Sequence, residues 1–253
     1  MGKPLILITN DDGINARGIQ HLIQLMNEIG ECFVIAPDKP QSGKGHAITI
    51  EEPIRYKKLE QYSHPAYSCN GTSADCVKVA IRHLMPRMPD LVVSGINHGS
   101  NSSVSVIYSG TMAAVIEAAM EGIPAIGFSL LDHSPEADFK PALPFIKHIT
   151  EEALTQGIPK HHCINVNIPK TQDIKGVKIC RQAKGRWIEE FDVREDPHKR
   201  TYLWLKGYFE DLDQGDDTDQ HALNNGYVSV VPVQYDLTDY KYLNELKKWN
   251  IDV

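Results

Sequence analysis

The chain has 253 residues, a net charge of −7, and 42% hydrophobic against 23% charged residues. That length fits one large domain, and the composition is that of a soluble globular protein, which excludes bulk disorder and fibrous repeats. The acidic balance argues against a surface for polymeric nucleic acid but leaves room for a local phosphate pocket.

Leu5 to Thr9 reads as a short buried strand ending in Asn10-Asp11-Asp12-Gly13. Ile19, Leu22, Ile23 and Met26 then fall at helical spacing, with Gly30 as the stop. Cys32 to Ala36 is a second strand, broken at Pro37 and followed by a polar loop from Asp38 to Gly45. Thr72-Ser73-Ala74-Asp75 has the form of a capping box and opens a helix through Leu84. Asp90 to Gly95 is another buried strand, Thr111 to Glu121 an alanine-rich helix, and Pro124 to Phe128 and Cys163 to Ile168 two further strands. Short hydrophobic strands alternating with helices predict an α/β fold, a Rossmann-like, doubly wound and mainly parallel sheet covered on both faces. From about residue 171 to 235 the texture changes. Val177 to Arg181, Trp187 to Val193, Thr201 to Leu205 and Tyr227 to Val233 alternate and carry aromatics, which predicts a protruding β-rich arm. The whole of 1–253 is then one domain. An exposed ribbon rich in Trp187, Phe191, Tyr202, Trp204, Tyr208 and Phe209 calls for a partner subunit, so a homodimer or homotetramer is expected.

Five widely spaced cysteines without a C-x-x-C pair read as buried reduced thiols. The start MGKPLILITNDD has an apolar run too short for a signal peptide. The uncharged stretch from Leu91 to Ile116 is too rich in Ser, Asn and Gly for a membrane span. A cytoplasmic location without membrane contact is the expectation.

Parallel sheets place ligand sites at the carboxyl ends of their strands. Strand one ends in Asp11 and Asp12, strand two feeds the loop with Ser42, and the DLVVSG strand leads to Asn97. Two carboxylates, a hydroxyl and an amide oxygen suit one hard divalent ion, Mg²⁺ or Mn²⁺, better than zinc. Adjacent Asp residues alone would equally form a turn or helix cap; three strand ends with one ligand type weaken that alternative. Tyr108-Ser109-Gly110-Thr111 stands at the start of the alanine-rich helix, where free amides and the dipole favour an anion. Ser42-Gly43-Lys44-Gly45 can add a second nest of amides. No P-loop, dinucleotide fingerprint or G-x-S-x-G elbow is present. His161-His162-Cys163 reads as a polar strand entry, and the aspartates from 211 to 219 as a solvated turn.

Together these segments resemble the SurE family, stationary-phase survival proteins that are metal-dependent 5′/3′-nucleotidases. The matching motifs are ILITNDDG (6–13), VIAPDKPQSGKGHAIT (34–49), NGTSADCV (70–77), SGINHGSN (94–101), YSGT (108–111), GIPAIGFSL (122–130) and GYVSVVPVQYDLT (226–238), in order over nearly the whole chain. The resemblance implies oligomeric assembly and phosphate release from nucleoside 5′- and 3′-monophosphates, with polyphosphate as a further substrate. It implies Asp11, Asp12, Ser42 and Asn97 as metal ligands. Phosphate-binding roles fall to Asn10, Gly43, Asn101, Ser109, Gly110 and Thr111. The chain departs from the family after Asn101: where many members read N-L-G-x-D-V, it has Asn101-Ser102-Ser103-Val104-Ser105-Val106. An acidic residue and a glycine are lost from the rim, so substrate preference should differ while the metal set stays.

In the mechanism these groups suggest, the metal neutralises phosphate oxygens and activates water for in-line attack. Asp11 or Asp12 is the nearby base. Asn97, Asn101 and the amides at Ser109 to Thr111 would hold the developing charge. His46 and His98 are candidates for the leaving-group acid by loop position only. A nucleotide sensor without turnover and a metal-dependent phosphotransferase are the competing classes; phosphate release from a nucleotide panel, with and without metal, separates them.

Overall fold

The computed structural model describes residues 2–251. Nine strands form one mostly parallel sheet, with the fully buried segments at its centre and the exposed ones at its edges. The first strand, β1 (Leu5–Thr9), is buried at every position. A helix, α1 (Arg17–Ile29), returns the chain to β2 (Glu31–Pro37), which lies parallel to β1. Beyond β2 come the short β3 (Tyr56–Lys58) and β4 (Ala66–Cys69), with β4 parallel to β2 and β3 antiparallel on the edge.

Helix α2 (Ser73–Val79) starts in the expected capping box, with Thr72 and Asp75 exchanging side-chain to backbone bonds, and ends in a π-helical turn at Ala80–Leu84. The chain then crosses to the other side of β1 as β5 (Leu91–His98), parallel to β1. A short 3₁₀ segment, Ser103–Ile107, leads into α3 (Gly110–Met120). Then follow β6 (Ala125–Leu130), α4 (Leu143–Gln156) and β7 (His162–Ile168), all strands parallel. The order β3-β4-β2-β1-β5-β6-β7 reverses direction between β1 and β5. In such sheets the crevice at the reversal point, beyond the carboxyl ends of the strands, is where ligands bind.

Strand alternation divides the core in two. Ile6, Ile8, Val34, Val93 and Phe128 face α1 and α4. Leu5, Leu7, Phe33, Ile35 and Val92 face α2 and α3. Helix α1 approaches so closely that a Cβ on Gly18 would lie 1.9 Å from the Ile96 carbonyl oxygen.

The C-terminal third differs from the sequence expectation. Of the four segments read as an arm, two belong to the main sheet: β8 (Val177–Ile179) pairs parallel with a late strand at Val228–Gln234, which itself pairs antiparallel with β7. The run Val228, Ser229, Val230, Val231 is buried at successive positions, so it is covered on both faces and is no half-exposed ribbon. The arm proper is shorter. It consists of β9 (Gly185–Ile188), β10 (Phe191–Glu195), β11 (Thr201–Leu205) and β12 (Tyr208–Asp211). β9 pairs with β12 and β10 with β11, giving one antiparallel ribbon bent in its middle. Trp187 to Val193, read as one strand, is broken there: Glu189 has φ +52° and Gly207 φ +123°. After the arm come α5 (Asp219–Asn224), β13 (Val228–Gln234) and α6 (Tyr240–Leu246). All five cysteines are buried free thiols. Among the described residues no helix is long and apolar enough to cross a membrane.

Candidate active site

A cavity of about 550 Å³ opens at the reversal point, and Asp11, Ser42, Gly43, Asn97, Asn101 and Ser109 all line it. The loop after β1 is closed by its own side chain: Asn10 Oδ1 accepts from the Gly13 N–H at 3.2 Å and its Nδ2 donates to the Gly13 carbonyl at 2.9 Å. The Asn10 side chain, expected to meet phosphate, braces the turn; Asn10, Asp12, Gly110 and Thr111 stand behind the residues that line the cavity. The Asn10 brace sets out Asp11 and Asp12. Asp11 is only 4% exposed, and its Oδ1 accepts the Thr111 hydroxyl at 2.6 Å. Burial, reinforced by the negative charge of Asp12 and opposed by the Thr111 hydrogen bond, pushes the Asp11 carboxyl up to about 6. Asp12 Oδ2 accepts the His98 N–H at 3.2 Å, with His98 Nδ1 at 3.4 Å.

The Ser42 loop is pinned to the same place. Gln41 N–H donates to the Asp11 carbonyl at 2.7 Å, and Gly45 N–H to the Tyr108 carbonyl at 3.1 Å. A register shift between Ser94 and Asn97 interrupts the β5–β6 pairing, which resumes with Asn97 opposite Ser129 and His98 opposite Leu130 at the carboxyl end of β5. Asn97 Nδ2 donates to the Gly99 carbonyl at 2.9 Å, so the remaining polar atom of that amide is its oxygen. Asn101 is held by a network the sequence reading did not reach. Its N–H donates to Asn167 Oδ1, its Nδ2 to Ser129 Oγ, and its carbonyl accepts from Asn165 Nδ2, each at 2.8 Å.

The helix start lies against the acid pair. Ser109 is the N-cap of α3, its Oγ accepting the Met112 N–H at 3.0 Å, so this hydroxyl is engaged within the helix. Gly110 touches Asp11: a Cβ there would lie 2.6 Å from Asp11 Cβ. The first amides of α3 therefore open onto the carboxylates, where an anion gains from unpaired N–H groups and the dipole.

The two histidines part company. His98 lines the cavity beside Asp12. His46 does not; its Nε2 meets Glu117 Oε2 at 2.9 Å. Glu117 is 3% exposed and also accepts Lys78 Nζ at 2.6 Å. It is the one charged residue in the helix GTMAAVIEAAM, a signal available in the sequence. His133 was also missed; it lines the cavity, and a Cβ on Gly99 would lie 2.1 Å from its ring.

The departure after Asn101 has a structural counterpart. Ser103, where the family pattern has glycine, takes φ +52° while fully buried. Its N–H donates to Asp219 Oδ2 at 2.7 Å and its hydroxyl to the Ala183 carbonyl at 2.9 Å. Asp219 also accepts the Ala183 N–H at 2.9 Å. The aspartate run from 211 was expected to be a solvated turn; Asp219 is instead buried, and burial raises its carboxyl above the usual range. Arg181 spans Asp213 and Asp217 on the exposed side.

Among the described residues no three or more His, Cys, Asp and Glu side chains are arranged to hold a metal ion by themselves. Asp11, Asp12, Ser42 and Asn97 are a different kind of set, all oxygen, of the hard-cation type. Among the described residues no Lys or Arg pairs with Asp11 or Asp12. A buried Asp11 beside a half-buried Asp12, with no Lys or Arg to balance them, fits a divalent ion.

A family model described as Survival protein SurE matches residues 6–189. The chain is 56% identical over 255 residues to "5′-nucleotidase SurE" of Christiangramia forsetii, covering 99% of this chain and 98% of that protein. It is 57% identical over 252 residues to the protein of the same name from Cytophaga hutchinsonii, covering 98% and 97%. The crystal structure of the SurE protein from Aquifex aeolicus superposes with a TM-score of 0.84 at 36% identity, covering 96% of this chain and 98% of that one.

Glu117 supplies a test of how the Ser42 loop is fastened to α3. Burial alone would raise its carboxyl, but the hydrogen bonds from His46 and Lys78 outweigh it and hold the group below the ordinary 4.5. Glu117→Gln should destabilise the protein by about 1–3 kcal/mol at neutral pH, the worth of hydrogen bonds to a buried charge. The folded value lies below the unfolded one, so the stabilisation is complete above pH 4.5 and fades as pH falls through the folded value. Urea unfolding from pH 7 to pH 3 should show the gap between unaltered protein and variant narrowing; a gap constant over that range contradicts this.

Proposed function

The chain belongs to the SurE family, and on that premise we propose that it is a nucleotidase, a hydrolase that releases phosphate from nucleoside monophosphates. We further propose that it acts with one divalent ion per chain, Mg²⁺ or Mn²⁺, on both 5′- and 3′-monophosphates and also on polyphosphate. The observation that carries this reading is the contact between the acid pair and the start of α3: the Thr111 hydroxyl donates to Asp11 Oδ1 at 2.6 Å, and Asp11 and the N-cap Ser109 both line the cavity.

Asp11, Asp12, Ser42 and Asn97 would hold the ion, which when bound neutralises phosphate oxygens and activates water. The chain's own groups do the rest. The first amides of α3, at Gly110 and Thr111, receive the phosphoryl oxygens and gain strength as charge builds there. Thr111 fixes the Asp11 carboxylate in one orientation. Asp11 or Asp12 takes the proton of the attacking water, Asp11 being in contact with the helix start. His98, lining the cavity beside Asp12, is the group placed to protonate the leaving oxygen. His46 loses that role because Glu117 engages it.

Chelation should abolish phosphate release, and Mn²⁺ or Mg²⁺ should restore it. Asp12→Asn should lower kcat roughly 100-fold or more, at least ~2.7 kcal/mol of transition-state stabilisation. Full turnover in excess chelator, with metal content verified as nil, contradicts the reading.

Assembly as a homodimer or a dimer of dimers through the arm is part of the same proposal. Phe191, Val193, Leu203 and Trp204 are all exposed on a two-stranded ribbon, which is marginal in water by itself. A permanent interface of more than ~2,000 Å² is of the size that would cover them, and two-fold symmetry is the default. Light scattering at low micromolar concentration should give a dimer or tetramer, and a monomer for a chain lacking residues 186–210. A monomeric full chain overturns the assembly claim.

A further inference from the structure

The cavity is larger than the acid pair and cradle require. At about 550 Å³ it falls within the range of roughly 300–1,000 Å³ that holds whole small ligands. Its remaining wall comes from the arm: Trp187, Glu190, Leu205, Lys206 and Gly207 of the same chain line it. These residues flank the bend of the ribbon, where the β9–β12 pairing stops and the β10–β11 pairing starts. Gly207 makes that bend possible. Its φ is +123°, and a Cβ there would lie 2.6 Å from the Ile188 carbonyl oxygen. The Lys206 N–H closes the bend on the Glu190 carbonyl at 2.6 Å. The arm therefore turns where it passes over the site.

We propose that this bend roofs a nucleoside subsite and that Trp187 is the surface on which the nucleobase stacks. The proposal rests on the nucleotidase reading above. Trp187 pairs directly across the ribbon with Phe209, and the two rings meet edge to face at 6.2 Å and 72°. That contact fixes the indole while leaving the residue 40% exposed at the cavity. Tyr108, which also lines the cavity, immediately precedes the helix start, so phosphate and aromatic surfaces lie along one space. A base stacked on an aromatic side chain is bound with little regard to its identity, because every base has a π face. Trp187 is thus a specificity-determining residue that separates nucleotides from other phosphate monoesters rather than one base from another.

The experiment compares adenosine 5′-monophosphate with ribose 5-phosphate, which carries the same ester and no base. Trp187→Ala should lower kcat/KM for the nucleotide roughly tenfold, chiefly through KM, the scale of one lost stacking contact. Ribose 5-phosphate should stay within about twofold, which also shows that the variant is folded. Trp187→Phe should recover most of the loss. Equal losses on both substrates, or none on either, overturn the proposal. A second readout needs no turnover. With Trp204→Phe and Trp249→Phe leaving Trp187 as the sole indole, adenosine should quench the fluorescence saturably; an unchanged signal overturns the subsite. If the unaltered protein releases phosphate from neither compound, the nucleotidase reading fails instead, and the fluorescence titration decides the subsite by itself.

Discussion

The contact of Asp11 with the start of α3 organises the rest of the site. A carboxylate at the end of a buried strand is costly in a low-dielectric setting, and a second one beside it makes the cost larger. Here that charge is met by the Thr111 hydroxyl and by a helix end whose glycine leaves no room for a side chain against it. The Ser42 loop is then fastened to the Asp11 backbone through Gln41, and to the cradle through Gly45 and Tyr108. Three loops from three strand ends are held by the same few atoms. Local rigidity of this kind makes an anion or cation site effective, because the groups need no reorganisation when charge arrives.

Around this centre the chain fixes its supporting elements with buried polar residues far apart in sequence. Asp219 ties the segment after Asn101 to Ala183, at the root of the arm. A serine in the left-handed region costs roughly 1–2 kcal/mol relative to glycine. At Ser103 that cost is offset by two hydrogen bonds, one from its backbone and one from its hydroxyl. The altered rim sequence is therefore a built-in connection between cradle and arm, not a loosened loop. Asn101 is held in the same way, from Ser129 on β6 and from Asn165 and Asn167 on β7.

What was legible in the sequence is what depends on neighbours in the chain. Strands β1, β2, β5 and β6 announce themselves as short apolar runs, and the Thr72 capping box is read from four residues. Asp11, Asp12 and Asn97 follow from being at strand ends. Elsewhere the residues by themselves leave the outcome open. The Tyr227 to Val233 run has arm-like composition, but its Val228 to Val231 stretch is buried on both faces, a fact set by pairing with β7 and not by its own residues. Asn10 carries the right chemistry for a phosphate, yet the tight turn at Gly13 consumes both ends of its amide. The bend at Glu189 and Gly207 lies inside what alternation reads as continuous strand.

The central claim is that the Asp11–Asp12 corner is built around a cation. Titrating metal-free protein with Mn²⁺, and following loss of the free-ion electron paramagnetic resonance signal, tests it without reference to any substrate. The unaltered chain should take up one ion per subunit, and Asp11→Asn should take up none in the same concentration range. No uptake by the unaltered protein, or equal uptake by the variant, would contradict the account.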